Sequence, residues 1–271
     1  MRVPEADSVI IPDIHGHTNH LEDVYEKYGE SVRYIFLGDI VDGPDVKHTL
    51  DIVNFMVTEL GAVAIKGNHE WVLDATLNAS DDEERHKFRH VLWRRQSQGS
   101  FKGYERGMLA SYDIDEHTPT NKAAAILRNR MQTAGHLALL REMPLFVEAP
   151  DFIAVHAGLV TKPWLDQRDY LEAEEKQLLT DEPKFSEEPD QLFGLWVHDN
   201  GRTSRDHTLA RSSEVKTEIG DRALVTGHAH MTLSADKRIT DGGQRVRLAS
   251  RLEKDQPMFV YQTWDRQVVE V

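Results

Sequence analysis

Five short aliphatic runs punctuate the chain: Ser8-Val9-Ile10-Ile11, Tyr34-Ile35-Phe36-Leu37, Ala62-Val63-Ala64-Ile65, Phe152-Ile153-Ala154-Val155 and Ala223-Leu224-Val225-Thr226. Each stops abruptly at Asp, Asn or His beside a glycine. A brief unbroken apolar run between turn residues is the pattern of a strand buried on both faces, so these strands are expected to deliver polar groups to one edge. Between the first three, apolar residues fall at helical spacing. Leu21, Val24, Tyr25 and Tyr28 precede Gly29, with Thr18 or Asn19 as the cap; Ile52, Val53, Met56, Val57 and Leu60 precede Gly61. The resulting βαβαβ start predicts parallel pairing with right-handed crossovers. In such sheets ligands bind beyond the carboxyl ends of the strands, which is where Asp13, Asp39 and Asn68 fall.

From about residue 71 to 143 the pattern turns helical. Ser80 with Glu83 reads as a capping box opening a segment in which Phe88, Val91, Leu92 and Arg95 share a face. Gln98-Gly99-Ser100 and Lys102-Gly103 break it, and Thr118-Pro119 starts a helix through Ala123, Ile126, Leu127 and Met131. This region is read as a helical insertion over the sheet edge. Residues 145 to 155 predict a hairpin turning at Ala149-Pro150-Asp151. The acidic stretch from Asp166 to Asp190, broken at Glu182-Pro183 and Glu188-Pro189, reads as a solvated helix and loop. Alternation around Asp241-Gly242-Gly243 and Asp265-Arg266 predicts hairpins closing a second sheet over 222–271. Because the polar strand endings span Asp13 to His230, one α/β domain over residues 1–271 is expected.

Composition narrows the chemistry. The 271 residues contain 46 Asp plus Glu against 32 Lys plus Arg, a formal charge of -14, which argues against nucleic acid and anionic membranes as partners. There is no cysteine, so disulfides, thiolate nucleophiles and zinc–thiolate sites are excluded, and any metal must be held by oxygen and imidazole. With no apolar run of membrane-spanning length and no apolar core in Met1-Arg2-Val3-Pro4-Glu5-Ala6-Asp7, a cytoplasmic location is expected.

Taken singly, the polar endings are weak signals. Asp13-x-His15 reads equally as a capping Asp beside a surface His, Asp39 with Asp42 as an Asx turn, and His156 as a satisfied core histidine. Together they form a set of Asp, His, Asp, Asn and three further His, nearly all beside glycines that let backbone approach an ion. Such a set suits two divalent ions, manganese, iron or zinc, with one Asp bridging.

The ordered motifs resemble the calcineurin-like metallophosphoesterase superfamily, and within it the phosphoprotein phosphatase branch that includes bacterial and phage protein phosphatases and symmetrical diadenosine tetraphosphatases. Asp13-Ile14-His15-Gly16 is similar to G-D-x-H-G, with Pro12 in place of the leading glycine, and Gly38-Asp39-Ile40-Val41-Asp42-Gly43 to G-D-x-V-D-R-G. Gly67-Asn68-His69-Glu70 is identical to G-N-H-E, and Val155-His156-Ala157-Gly158-Leu159 resembles V-H-A-G-L. The resemblance implies a four-layer α/β/β/α sandwich of two mixed sheets. It implies that Asp13, His15, Asp39 and His230 hold one metal, and that Asp39 bridges to a second held by Asn68, His156 and His228. It further implies that His69 protonates the leaving oxygen, with Asp42 favouring its charged form, while a hydroxide generated by the two cations attacks phosphorus.

Two departures stand out. The branch's arginine is replaced by Gly43, and Gly227-His228-Ala229-His230 has the broad superfamily's two histidines. Arg202, near Leu195-Trp196-Val197-His198-Asp199, is the expected phosphate-binding arginine, with Asn68 also touching substrate. The implied substrates are a phosphoprotein or small phosphate ester. An alternative is a dinucleoside tetraphosphate seated by Trp93, Arg94, Arg95, Phe101 and Tyr104, and a non-catalytic scaffold is the third reading.

Overall fold

A computed structural model describes residues 1–79, 107–115, 117–159, 163–180, 183–185, 196–197, 203–204 and 219–271. The first aliphatic runs form β1 (Ser8–Ile11), β2 (Arg33–Phe36) and β3 (Val63–Ala64), joined by α1 (Thr18–Tyr28) and α2 (Val46–Leu60) and paired in parallel in the order β1-β2-β3. Helix α3 (Asn68–Asn78) follows directly, then α4 (Met108–Ser111), α5 (Thr120–Thr133) and α6 (His136–Glu142). The predicted hairpin is present as β4 (Phe146–Glu148) antiparallel to β5 (Phe152–Val155), and α7 (Trp164–Leu178) carries the first part of the acidic stretch. Strands β6 (Trp196–Val197) and β7 (Thr203–Ser204) pair with each other. The C-terminal part supplies β8 (Ala223–Thr226), β9 (Ile239–Thr240), β10 (Arg245–Arg247), β11 (Phe259–Gln262) and β12 (Gln267–Glu270).

The two five-stranded sheets run β12-β11-β1-β2-β3 and β4-β5-β8-β10-β9, both mixed. Alternation along the strands assigns the layers. Ile10, Ile35, Leu37 and Ile65 meet Val147, Phe152, Ala154, Val225 and Val246 between the sheets. Val9, Ile11, Tyr34 and Phe36 face outward onto Leu21, Val24, Leu50, Val53 and the helices around Leu127 and Leu140. Ile153, Val155 and Leu224 face the opposite way, onto Trp164, Leu171 and Trp71. This is the expected α/β/β/α sandwich, and burying each of these large side chains contributes roughly 1.5–3 kcal/mol. Among the described residues no helix is long and apolar enough to cross a membrane.

Three local expectations need correction. Neither Thr18 nor Asn19 caps α1: His17 occupies the cap position without a side-chain bond, and the Thr18 hydroxyl instead meets that of Thr49, 2.8 Å away across α2. A buried threonine that finds a neighbouring hydroxyl has no need of its own backbone. Pro119 stands at the cap of α5, one position ahead of the first turn. The C-terminal hairpins do not all close the second sheet, because β11 pairs antiparallel with β1 and carries β12 onto the first sheet. Alternating polarity identifies a half-buried strand but not its neighbour. The proposed capping box at Ser80 and Glu83, and the segment through Phe88 to Arg95, lie outside the described residues.

Candidate metal centre

The loops leaving β1, β2, β3, β5 and β8 meet at one edge, stitched together by their own backbones. Ile14 and His15 N–H both donate to the Asp39 carbonyl, at 3.1 and 2.9 Å, and Gly16 N–H donates to Ile40 at 3.0 Å. Gly227 N–H reaches the His156 carbonyl at 2.8 Å, and His228 N–H donates to Asp13 Oδ1 at 2.8 Å. His15, Asp39, Asp42 and His228 lie in the left-handed region, with φ of 47°, 51°, 69° and 57°. Each such residue costs about 1–3 kcal/mol, and strain of this kind gathers where function fixes the backbone.

Asp39 stands at the middle. Its Oδ2 is 3.4 Å from His156 Nε2, 3.7 Å from His69 Nε2 and 3.8 Å from His15 Nε2. On one side Asp13 Oδ2 faces His230 Nε2 at 3.9 Å. On the other, Asn68 Oδ1, His156 Nε2 and His228 Nδ1 form a triangle with sides of 2.9, 3.0 and 3.2 Å. Asp13, His15 and His230 form one group able to hold an ion, and Asp39, His156 and His228 another. His69 Nδ1 lies 3.0 Å from Asp42 Oδ2, so the expected pairing of these two side chains is present. All seven predicted ligands therefore converge. Arg202 and the proposed nucleotide slot from Trp93 to Tyr104 lie outside the described residues.

The donor set fits two cations. Asp13 Oδ2 is buried and accepts no hydrogen bond, an arrangement a carboxylate tolerates when a cation replaces the lost hydration. His15 Nδ1 donates to the Val41 carbonyl at 3.0 Å and His156 Nδ1 to the Leu37 carbonyl at 2.8 Å. A carbonyl can only accept, so each bond turns the Nε2 lone pair inward, as metal-binding histidines require. Separations of 3–4 Å between the inward atoms match ligands placed around ions at bond lengths near 2.0–2.2 Å.

One residue of the motifs had no role assigned from sequence. Glu70, fully buried, accepts Asp39 N–H at 2.7 Å and Gly67 N–H at 2.9 Å on Oε2, and Ile40 and Val41 N–H at 2.8 and 2.9 Å on Oε1. It holds the β2 loop against the start of α3, and so sets Asp39 beside Asn68. Its place as the third residue of a helix was a usable signal, because a Glu there reaches back to the N-terminal backbone.

Charges are strongly coupled at this edge. Burial pushes Glu70 up, as does neighbouring Asp39. For Asp39 burial works upward too, but the His156 and His69 imidazoles outweigh it and hold the carboxyl well below its usual range. Burial opposes a charge on His156, yet Asp39 raises it to about 9, whereas burial and the adjacent His156 hold His228 down at about 4. With His156 Nε2 and His228 Nδ1 3.2 Å apart, a proton on one ring disfavours a proton on the other.

A family model described as calcineurin-like phosphoesterase matches residues 8–232. The chain belongs to that family. No curated protein matches it closely enough to transfer more. Among solved structures, a candidate diadenosine tetraphosphatase is 16% identical with a TM-score of 0.56, over 100% of this chain and 96% of that one. A protein serine/threonine phosphatase from Saccharomyces cerevisiae, with similarity to human phosphatase PP5, is 13% identical with a TM-score of 0.50, over 100% of this chain and 82% of that one. At such identities these likenesses establish the shared fold.

The glycine that stands where this family's phosphatase branch has arginine also has a local cause. A Cβ on Gly43 would lie 1.4 Å from the His15 carbonyl oxygen and 2.7 Å from Gly16 N. No side chain fits there unless the His15 loop moves.

Proposed function

We propose that the chain is a single-domain, dinuclear-metal phosphoesterase that hydrolyses phosphate monoesters. The observation carrying this reading is the symmetry about Asp39, with Asp13, His15 and His230 to one side, Asn68, His156 and His228 to the other, and the His69–Asp42 pair alongside. When bound, two manganese, iron or zinc ions would supply the lowered pKa of water and the positive field that phosphate hydrolysis needs. The remaining work belongs to the protein. Asp13, His15, Asp39, Asn68, His156, His228 and His230 hold the ions. His69 holds the proton passed to the leaving oxygen from Nε2, and Asp42 keeps the ring charged and oriented through Nδ1. Asn68, with its carbonyl oxygen turned to the two histidines, keeps its amide for a phosphate oxygen, and Arg202 grips the same group as the branch's second substrate arginine does. A phosphoprotein or a small phosphate ester is the substrate class.

Manganese-dependent release of p-nitrophenol from its phosphate ester tests this. In His69→Ala the rate should fall by about 10²–10⁴-fold with the melting transition intact, and Asp39→Asn should abolish it. A phosphopeptide and diadenosine tetraphosphate assayed side by side rank the substrate classes. A pure, manganese-loaded protein that turns over none of the three would favour a binding scaffold instead.

A further inference from the structure

The histidines of Gly227-His228-Ala229-His230 come from a stretch, residues 227–234, that is neither helix nor strand. Its first half is held by the bonds from Gly227 to His156 and from His228 to Asp13. Its second half is held by Met231 N–H on the Ala249 carbonyl, at 3.0 Å, and by the Arg238 side chain.

Arg238 is 1% exposed. Its Nε donates to the Leu233 carbonyl at 3.0 Å, and Nη2 to the Met231 carbonyl at 3.3 Å and the Ser250 hydroxyl at 2.9 Å. Nη1 donates to Leu248 at 2.7 Å, Ala249 at 3.2 Å and Arg247 at 3.3 Å. The guanidinium lies over the Phe259 ring, with Cζ 3.9 Å from its centre. All these partners are neutral. A buried cation with no anionic partner is costly to desolvate, and an apolar side chain would leave these carbonyls unpaired, so the value of this residue lies in the bonds it makes. What a planar fork of fixed N–H donors provides, and no apolar group can, is a set distance and angle between two backbone segments. Here one segment follows His230 directly and the other is the exit of β10.

We propose that Arg238 is a positioning residue for the metal centre: it fixes the far side of the His228–His230 turn to residues 247–250, and so sets where the two imidazoles stand relative to Asp13 and Asn68. The inference rests on the reading of the site as a metal centre. Residues that orient metal ligands from behind typically change affinity by about 10–100-fold when altered.

The test is manganese affinity, measured by calorimetry on the full chain, for the wild type, Arg238→Lys and Glu148→Gln. Lysine keeps the charge but loses the fork. Glu148 lies at the opposite end of the same sheet, bonded to Trp164 and Arg222, and serves as a stability control. Arg238→Lys should fold, melt lower and bind manganese about 10–100-fold more weakly, whereas Glu148→Gln should melt lower and bind as the wild type does. Wild-type affinity in Arg238→Lys would overturn the proposal. Should that variant fail to fold, Ser250→Ala, which removes only the hydroxyl on Nη2, carries the test: weakened affinity supports the proposal and unchanged affinity overturns it. A wild type that takes up no manganese overturns the metal centre itself, and is seen before any variant is made.

Discussion

The two edges of the sheets use glycine for opposite reasons. At the carboxyl edge a Cβ on Gly67 would come within 2.4 Å of both Asp39 N and Asp39 Oδ1, and one on Gly227 within 2.3 Å of Asp13 Oδ1. At the amino edge Gly61 and Gly242 have φ of 67° and 66°, and a Cβ there meets nothing within 4 Å. The first pair yields space so that loops from different strands can touch. The second pair yields conformation so that a chain can turn. Among the described residues the groups able to hold a metal ion all lie at the carboxyl edge, where Asp13, Asp39, Glu70 and His156 are buried.

The sharpest way to break this contrast is to add one methyl group to each edge. Gly67→Ala should displace Asp39, destabilise the fold by about 1–3 kcal/mol through overpacking and abolish manganese-dependent turnover. Gly61→Ala should cost about 1–2 kcal/mol for its left-handed backbone and leave turnover unchanged. Urea unfolding and p-nitrophenyl phosphate hydrolysis on the two proteins read both effects. Equal activity in the two variants would erase the distinction.

A smaller effect sharpens the comparison from the amino edge. Burial alone would push Glu148 up, but the Trp164 indole and Arg222 outweigh it and hold the carboxyl below its usual 4.5. With a folded pKa below the unfolded one, its stabilisation is present above pH 4.5 and disappears as pH falls through the folded value. Glu148→Gln should therefore cost about 1–2 kcal/mol at neutral pH, and progressively less below pH 4.5. Melting curves of both proteins across that range check it, and a pH-independent difference would contradict it.

The parts of the fold legible in the sequence were those where one physical demand acts alone. Fully buried strands must be apolar throughout, so the five runs announced themselves, and their abrupt polar endings marked the site. The pairing of Asp42 with His69 was legible only through the family's motifs, since helix α2, strand β3 and the loops around them separate the two in the chain. What stayed hidden depends on long-range partners. Nothing near Arg238 distinguishes it from a solvated turn arginine, because its bonds run to backbone carbonyls, which every residue has. The return of β11 to the first sheet was hidden likewise, since a strand's alternation is the same on either sheet. The substitution at Gly43 was legible as a missing arginine, but its cause, the His15 carbonyl 1.4 Å from where a Cβ would go, appears only in three dimensions.

The central claim is that side chains from five strand ends hold two ions across Asp39. Anomalous scattering from manganese-soaked crystals tests it most directly. Two peaks should flank the Asp39 carboxylate, one among Asp13, His15 and His230 and the other among Asn68, His156 and His228. Peaks elsewhere, or none at this edge, would contradict it.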